Sequence, residues 1–470
     1  MVGFELSAGV NADNVFLVKF AELQGRLDPL FYNTVHGFSL VKTIYPVKKL
    51  SEVINMQRGR FGHRPRNDPK FYDGQYPFIQ TGDVVKASKT NESIAHTQTL
   101  NELGLKTSRL FDENVLVITI AANIGDTAIL DYPACFPDSL IGITPKTDAL
   151  TLNYLNVYFK FLKPYLEDLA PQSAQKNINY QQLSPVPIVI PPLAIQQKIS
   201  DLFHQAHNQK QQKEQKAQAL LDSIDGYLLN ALGITLPVQD NSLEKRMFTV
   251  PFSEVAGRRL DVFYNSPKHT NKHESLKKSK FSLLKIRDIS TSVLNGKEFR
   301  EYSDGGYRYL RVSDLDKFDI SNHNPRFIEL SNFPESIRLS KSDILISRSG
   351  SLGLVSVVTD EILDSVLSSH IFKLSLDVKV VMPEYVEGYL RSTLGQFQFF
   401  QKNNGGIIPE LNQSALKDIS VIVPPLKKQT EIATHITQIR AQAKQLQAEA
   451  ANLLASTKAD IERMILGEEA

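Results

Sequence analysis

Cysteine is almost absent from this chain of 470 residues, and so is any long apolar run. The single cysteine, Cys135, excludes an intramolecular disulfide and a cysteine-rich zinc site, and it is the usage expected in a reducing cytoplasm. No stretch comes near the ~20 consecutive apolar residues that a membrane-spanning helix needs, so we expect no membrane association. The first five residues lack a basic stretch followed by an apolar run, and we therefore expect no secretory signal.

An excess of positive charge is also missing. Lysine and arginine number 53 against 51 aspartate and glutamate residues, which gives a formal net charge of +2. Binding that depends mainly on nucleic-acid phosphates usually accompanies a more basic composition, because each contact releases counterions. The overall charge therefore argues weakly against a nucleic-acid ligand. The 470 residues, 42% of them hydrophobic, are otherwise those of an ordinary soluble protein with two or more domains.

Motifs that carry catalysis are missing as well. We find no Gly-x-x-x-x-Gly-Lys-Ser/Thr phosphate loop and no Asn/Asp-Pro-Pro-Tyr/Phe tetrapeptide. Pro137-Asp138 could open a nuclease-like carboxylate pair, but no acidic-x-Lys follows at a suitable spacing, so a turn is the better interpretation. His204 and His207 lie three apart without a third ligand, which favours surface histidines over a metal site. We expect neither a catalytic centre nor a metal ion.

What the chain does contain is a long internal repeat of roughly 230 residues. Four segments of the first half return in the same order, at offsets from 228 (125 to 353) to 233 (191 to 424). Four matches in one register are not expected by chance. The paired segments are 26–33 with 259–265, 76–83 with 307–314, 115–125 with 344–353, and 189–193 with 422–426.

Each half of the repeat follows one plan. Short β-like runs, such as 114–120 and 343–347, are broken by Gly, Pro, Asn and Asp. A helix is predicted next, at 152–169 and at 383–401, and then a short apolar strand that ends in Pro-Pro-Leu. Because proline pairs stop a strand, a long helix is predicted to begin just past each pair.

The two long helices are predicted to span ~40 residues, or ~60 Å, each. Their apolar residues recur in steps of three and four, which is typical of a coiled-coil seam, and antiparallel pairing buries both seams most economically. The polar run at 209–218, which puts Lys210 and Lys213 in seam positions, either fixes the register or is only a solvated stretch. The predicted seam residues are Ile195, Ile199, Leu202, Leu221, Ile224, Leu228, Ile432, Ile436, Ile439, Leu446 and Leu453.

The sequence therefore predicts a mixed α+β fold with an internal pseudo-twofold repeat. Two tandem globular domains are joined by two long antiparallel coiled-coil helices. The predicted boundaries are 1–191 for the first globular domain, 192–235 for the central helix, 236–424 for the second globular domain and 425–470 for the C-terminal helix.

This plan resembles the specificity subunits of type I restriction-modification systems, over nearly the whole chain. The most specific resemblance is the doubled junction of Pro-Pro-Leu with a helix that contains a glutamine. A second family-like element, 346–353, includes Arg348; the first half departs from it at 118–125, so a role for Arg348 cannot be transferred there. The doubled junction is Pro191-Pro192-Leu193 with Gln196 and Pro424-Pro425-Leu426 with Gln429.

The resemblance implies a division of labour. Each globular half would be a target-recognition domain that reads one part of a bipartite, asymmetric site in double-stranded DNA, while the helices set the spacing. The helices would also dock two methyltransferase subunits, which carry S-adenosylmethionine. A restriction/translocase subunit, with its ATP and Mg, would join for phage defence. This chain would be cytoplasmic, non-catalytic and without a cofactor of its own.

Candidate DNA contacts lie in turn-rich segments. Arginine can clamp a phosphate or pair bidentately with guanine, and Gln or Asn can pair with adenine. The densest segment is 58–66, whose approximate counterpart contains Lys297; the loops 172–177 and 402–406 occupy equivalent places before the Pro-Pro strands. The candidates are Arg58, Arg60, Arg64, Arg66, Gln175, Lys176, Asn177, Lys297, Arg308, Arg311, Arg348, Asn404, Gly405 and Gly406.

Plainer interpretations stay open for these candidates. Residues 58–66 could form a solvated basic loop. Arg308 and Arg311 could simply share the solvent face of a strand, and Gly405-Gly406 could cap a helix.

Two other classes of protein are alternatives to a DNA-recognition subunit. A duplicated hydrolase or transferase would need acid, base or nucleophile residues that repeat, and none do. A two-module protein-binding scaffold without DNA specificity would have the same architecture. Ionic strength separates this scaffold from a DNA-binding protein, whose affinity falls steeply with added salt.

Overall fold

The computed structural model describes residues 43–62, 67–170, 177–238, 242, 244, 247–257, 259–316, 320–331, 338–404 and 406–468. The chain divides into two compact units, Met1–Lys213 with Ala448–Ala470, and Glu214–Gln447. Each unit therefore contains half of both long helices, whereas the predicted division gives each helix a segment of its own. The four predicted boundaries remain predictions.

The first unit is built on three small sheets and the helices between them. Its strands are β1 (Val47–Lys49), β2 (Ile54–Arg58), β3 (Tyr72–Phe78), β4 (Gln98–Leu100), β5 (Leu110–Phe111), β6 (Val115–Thr119), β7 (Thr127–Leu130), β8 (Ala134–Cys135), β9 (Leu140–Pro145) and β10 (Pro187–Val189). Its helices are α1 (Leu50–Val53), α2 (Thr81–Thr90), α3 (Glu102–Thr107), α4 (Leu152–Leu169), α5 (Tyr180–Leu183) and the first part of α6 (Leu193–Leu232). The sheet orders are β1-β10, β2-β9-β6-β7 and β4-β3-β8-β5.

The second unit repeats this arrangement. Its strands are β11 (Ser282–Lys285), β12 (Ser290–Asn295), β13 (Tyr307–Leu310), β14 (Arg326–Ile328), β15 (Asp343–Ser347), β16 (Val355–Val357), β17 (Val366–Leu367), β18 (Ile371–Leu376) and β19 (Ser420–Val423). Its helices are α7 (Phe252–Val255), α8 (Pro267–Lys277), α9 (Ile286–Ile289), α10 (Pro383–Arg391), α11 (Thr393–Gln401), α12 (Gln413–Lys417) and the first part of α13 (Leu426–Leu466). The sheet orders are β11-β19, β12-β18-β15-β16 and β14-β13-β17.

The sequence repeat is thus a repeat of topology. The antiparallel order β2-β9-β6-β7 corresponds strand for strand to β12-β18-β15-β16. The pair β1-β10 likewise corresponds to β11-β19. The remaining sheet of each unit contains one short parallel pair of strands, β3 with β8 in the first unit and β13 with β17 in the second. The predicted mixed fold with an internal duplication is confirmed.

The two long helices begin immediately after the proline pairs, as predicted, and span 40 and 41 residues. The single helix predicted at 383–401 is wrong. Ser392 is extended (φ −70°, ψ 169°) and separates α10 from α11, and its hydroxyl accepts the N–H of Leu394 (3.2 Å). The break has a local cause, because serine competes with helix continuation by capping the next helix.

Within each unit the two long helices pack antiparallel. In the first unit Ile199, near the start of α6, shares a core with Ile461 near the end of α13. In the second unit Leu228, near the end of α6, shares a core with Ile432 near the start of α13. Lys213, in the polar run, pairs with Glu449 of the opposite helix (2.5 Å), which favours a role for that run in fixing the register.

A buried glutamine in the first turns of each long helix ties the helix to its own unit. Gln196 accepts the N–H of Thr151 (2.9 Å) and donates to two backbone carbonyls. Gln429 accepts the N–H of Met382 (2.8 Å) and donates to the carbonyls of Val380 (3.1 Å) and Pro424 (2.8 Å). Both glutamine side chains are fully buried, and these hydrogen bonds pair their amide groups.

We expect Gln429→Met to destabilise the second unit by roughly 2 kcal/mol, because methionine fills the space but pairs neither the Pro424 carbonyl, which is buried, nor the partly buried groups of Val380 and Met382. Urea unfolding monitored by hydrogen exchange in α13 measures this loss. Gln438→Met, at an exposed position of the same helix, is the matched control and should change little. Equal effects of the two substitutions would contradict the assigned role.

No helix in the described part of the chain is both long enough and apolar enough to cross a membrane.

Candidate nucleic-acid interface

One loop of the first unit, residues 136–139, gathers several predicted DNA-contact segments, and we call it the first central loop. Its carbonyl oxygens accept hydrogen bonds from Nε of Arg58 (2.5 Å), from the backbone N–H of Arg60 (2.9 Å) and from the backbone N–H of Ile120 (3.1 Å). The segment around Arg58 and Arg60 is therefore held beside the turn that follows β6.

The loop before α5 reaches the same place. Asn177, which is exposed, forms a β-bridge with Ala121, and the N–H of Ile178 donates to the carbonyl of Ile120 (3.0 Å). Two segments whose predicted contact residues Arg60 and Asn177 are 117 positions apart (177 − 60) thus meet at the first central loop. Four further candidates lie outside the described residues: Arg64, Arg66, Gln175 and Lys176.

The second unit has an equivalent loop, residues 367–370, which we call the second central loop. Its carbonyl oxygens accept the backbone N–H of Lys297 (2.8 Å) and the backbone N–H of Arg348 (2.9 Å). Arg348 also directs its Nη1 at the carbonyl of Ser369 (3.4 Å). Lys297 and Arg348 are therefore brought together, although they are 51 positions apart (348 − 297).

The loop after α11 completes this cluster. The Arg348 guanidinium pairs with Glu410, and the N–H of Gly350 donates to the carbonyl of Pro409 (3.0 Å). Asn404 donates its backbone N–H to Glu410 (2.8 Å) and is exposed, as is Gly406. Helix α11 ends at Gln401 with Lys402 as its cap residue, so Gly406 lies beyond the cap. Gly405 lies outside the described residues.

The turns after β6 and β15 have the same backbone despite their different sequences. In each, a glycine in the left-handed region donates its N–H to the last strand residue, Gly125 (φ +82°) to Thr119 and Gly353 (φ +76°) to Ser347. The hydroxyls of Thr119 and Ser347 each accept an N–H from the residue that follows the glycine (3.0 and 2.9 Å). The family-like element of the second half therefore has a structural counterpart in the first.

Arg60 and Lys297 follow glycines that occupy equivalent places. The N–H of Gly59 donates to Leu140 (2.9 Å) and that of Gly296 to Ile371 (3.1 Å). A Cβ atom on either glycine would overlap carbonyl oxygens of the central loop of its own unit. Only glycine allows this approach, so it fixes where the following basic residue emerges.

We expect Gly296→Ala to destabilise the second unit by about 2 kcal/mol, because backbone on both sides must shift to relieve the overlap. Gly305→Ala, with open space around the added carbon, is the control. Thermal unfolding of the two variants measures the difference. Should both variants unfold like the parent chain, the close approach described for Gly296 is not required.

Arg308 and Arg311 are engaged elsewhere in the second unit. Arg308 donates to Asn322 and to the carbonyl of Ser321 (both 2.7 Å). Arg311 forms a two-point contact with Asp314 (2.9 and 3.2 Å), and this hydrogen bond raises the pKa of the Arg311 guanidinium. Either arginine would have to give up these hydrogen bonds in order to contact DNA. The exposed side chain of Lys297 is more readily available for such a contact.

Sequence reasoning missed Arg259 as a functional candidate. Its Nη1 donates to the carbonyl of Asn403 (2.9 Å) and to Oδ1 of Asn404 (2.8 Å), and its guanidinium lies 5.0 Å from the Tyr264 ring centre. Arg259 thereby orients a predicted contact residue. The sequence repeat could have pointed to Arg259, because this residue is the first of the repeated segment 259–265.

A carboxylate with three cationic neighbours lies next to the loop after α11. Asp418 meets Lys402 (2.6 Å), Arg287 (3.1 Å) and Lys285. Burial alone would raise the pKa of the Asp418 carboxyl, but the two lysines outweigh it and the pKa is lowered. Three cations therefore surround the Asp418 carboxylate beside this loop.

The two helical histidines have protein partners. His204 Nδ1 lies 2.9 Å from the Asn91 amide, and the His207 ring lies 4.3 Å from that of Phe203. Among the residues that the structure describes, no three His, Cys, Asp or Glu side chains are grouped to hold a metal ion.

Two units of one topology, each with polar loops gathered at one place and anchored to a long helix pair, define a duplicated binding protein. A family model of the type I restriction modification DNA specificity domain matches residues 45–221 and again residues 278–454. The chain belongs to this family and contains two copies of its domain.

Individual relatives are distant. The chain is 24% identical over 152 residues to the type I restriction enzyme EcoBI specificity subunit of Escherichia coli, which is 32% of each protein. It is 26% identical over 172 residues to a putative type I specificity subunit, S.MpnORF507P, of Mycoplasma pneumoniae, 36% of this chain and 40% of the relative. The matched part thus spans less than half of either relative.

The fold is shared with a solved structure. A chain from work on complex assembly and conformational transition of the type I R-M system aligns with a TM-score of 0.54 at 13% identity. The alignment covers 90% of this chain and 98% of that one.

Proposed function

We propose that this chain is the DNA-recognition subunit of a type I restriction-modification complex, and that each unit reads one half of a bipartite, asymmetric target. The observation that carries the proposal is the meeting of separate polar segments at one central loop in each of two family domains. Arg58, Arg60 and Asn177 supply the cationic and amide groups in the first unit. In the second unit Lys297 supplies an exposed cation, and Arg348 and Asn404 would contact DNA by exchanging their present bonds to Glu410 and Arg259.

These side chains match the chemistry of DNA. Lysine and arginine contact phosphates and the acceptors of guanine, and asparagine can pair with both edge groups of adenine. The backbones of Arg60, Lys297 and Arg348 are fixed by hydrogen bonds to the central loops. Those of Asn177 and Asn404 are paired with Ala121 and Glu410, so few degrees of freedom are lost on binding. The small net charge of +2 is consistent with a partner that supplies further phosphate contacts.

The proposal extends to an assembly. Two methyltransferase subunits would bind this chain and carry S-adenosylmethionine, and a restriction/translocase subunit would bring ATP and Mg. This chain would contribute recognition and no catalysis, in the cytoplasm where the chromosome lies. The scaffold alternative is not favoured, because both halves match a DNA specificity domain.

Exchanging residues 236–420 for those of another family member tests whether each unit recognises its own half-site independently. We expect the methylated motif to change in one half-site only, because each unit holds its own core and its own central loop. Exchange of 1–191 is the reciprocal control and should change only the other half-site. Loss of both half-sites in a well-folded chimera would contradict one-unit, one-half-site recognition.

A further inference from the structure

A cavity of about 440 Å³ opens in the second unit beside α8 and α11, and none of the described residues that line it is assigned to DNA above. This volume is in the range of small-molecule sites. Three aromatic rings form its apolar part: Phe397 is buried, whereas Phe263 and Phe400 are each about half exposed.

His269 lines the cavity and is only 2% exposed. Its ring lies 4.8 Å from that of Phe263 and 6.5 Å from that of Phe397, yet neither ring nitrogen has a hydrogen-bond partner in the described part of the chain. Buried polar groups are nearly always paired. Burial, together with Lys268 and Lys272, lowers the pKa of His269 to about 4, so the neutral ring offers one donor and one acceptor.

The charge along the cavity is positive. Lys268 and Lys272 line it four residues apart on α8, and no ion pair to either lysine is found among the described residues. Of the described lining residues only Asp225 is acidic, and its oxygens are taken by the N–H (2.9 Å) and the hydroxyl (2.5 Å) of Thr393.

The start of α8 adds to this potential. The helix begins at Pro267, and the hydroxyl of its cap residue Ser266 accepts no backbone N–H. The positive end of the helix dipole is therefore not compensated by its own cap, which favours an anion beside Lys268.

We propose that this cavity binds a nucleotide, with the phosphate at Lys268 and Lys272 and the planar base against Phe397 and the unpaired ring of His269. A bare anion would meet the lysines but not the aromatic wall. It would also leave the acceptor nitrogen of His269 unpaired, whereas a base offers both donors and acceptors. The site goes beyond the proposed reading of DNA and does not depend on it.

Equilibrium dialysis of the full chain with labelled dAMP tests the proposal. Lys272→Met keeps a side chain of similar length and removes the ammonium group, which lies 5.4 Å from the centre of the Phe397 ring. His269→Phe keeps the ring packing and removes both nitrogens. We expect each to weaken dAMP binding roughly tenfold or more. Lys277→Met, exposed on the same helix and paired with Glu274, is the matched control and should bind as the parent chain does.

Absence of saturable binding at millimolar dAMP would overturn the proposal, and so would equal binding by the Lys272→Met and Lys277→Met variants. If inorganic phosphate displaces dAMP at equal concentration, the site takes an adventitious ion only, and the aromatic part of the proposal is wrong. If the Lys272→Met or His269→Phe variant fails to fold, Lys268→Met repeats the test at an exposed position. Added non-target duplex distinguishes the source: displacement of dAMP assigns the site to a nucleotide within DNA, and no displacement assigns it to a free nucleotide.

Discussion

Replacing Glu387 with alanine is expected to cost the second unit roughly 3–5 kcal/mol of its free energy of unfolding, a large part of the stability of an ordinary domain. Glu387 lies on α10 with a side chain 6% exposed, and it holds Arg440 of α13 through both oxygens (2.9 and 2.6 Å). It also pairs with Arg391 (2.6 Å), which is 12% exposed. Removing the carboxylate takes the Glu387 counter-charge away from two arginines in a poorly solvated place.

Hydrogen exchange during urea unfolding is the appropriate measurement, because two units need not unfold together and a single transition would mix them. Glu384→Ala, on the exposed face of the same helix, is the matched control and should cost less than about 1 kcal/mol. If the two alanine variants lose protection in α13 equally, the buried charge cluster does not anchor the long helix.

Lengthening both long helices by seven residues is expected to widen the gap between the two half-sites by about three base pairs. Seven residues add about 10 Å of helix at ~1.5 Å each, and base pairs are spaced by about 3.4 Å. The insertions belong after Lys213 in α6 and before Ala448 in α13, since Lys213 faces Glu449. A heptad nearly completes two turns, so the apolar seam stays on the same side.

The half-site sequences should stay the same in this variant, because no residue of either central loop is touched. Insertion in α6 alone is the control: it puts the Lys213–Glu449 pair and the apolar seam out of register, and we expect methylation to be lost. An unchanged gap in the double insertion would show that the helices do not set the spacing. Methylated-motif sequencing reads the gap directly.

Features that repeat along the sequence were predictable. The long helices follow from apolar spacing and from the proline pairs, which also mark where each helix starts. The duplication predicted that two units would share a topology, as the matching sheet orders show. Apolar spacing and proline pairs are local features of the sequence, and the duplication is found by comparing the two halves. Neither kind of prediction requires knowledge of tertiary packing.

Features that depend on tertiary contact were not predictable. Nothing in the sequence shows that the segment around Arg348 meets the loop containing Asn404, because the pairing of Gly350 with Pro409 spans distant parts of the chain. Arg308 and Arg311 looked equivalent to other basic candidates until Asn322 and Asp314 were seen to hold them. The helix break at Ser392 depends in part on Asp225 of α6, whose carboxylate accepts the backbone N–H of Thr393.

Methylome sequencing tests whether this chain directs recognition of a split DNA target. Cells that express this chain with its neighbouring methyltransferase subunit are compared with cells that express the methyltransferase alone. We predict a new bipartite motif with methylated adenines that is present only with this chain. No new methylation, in cells where the two proteins demonstrably co-purify, would contradict the assignment as a DNA-recognition subunit.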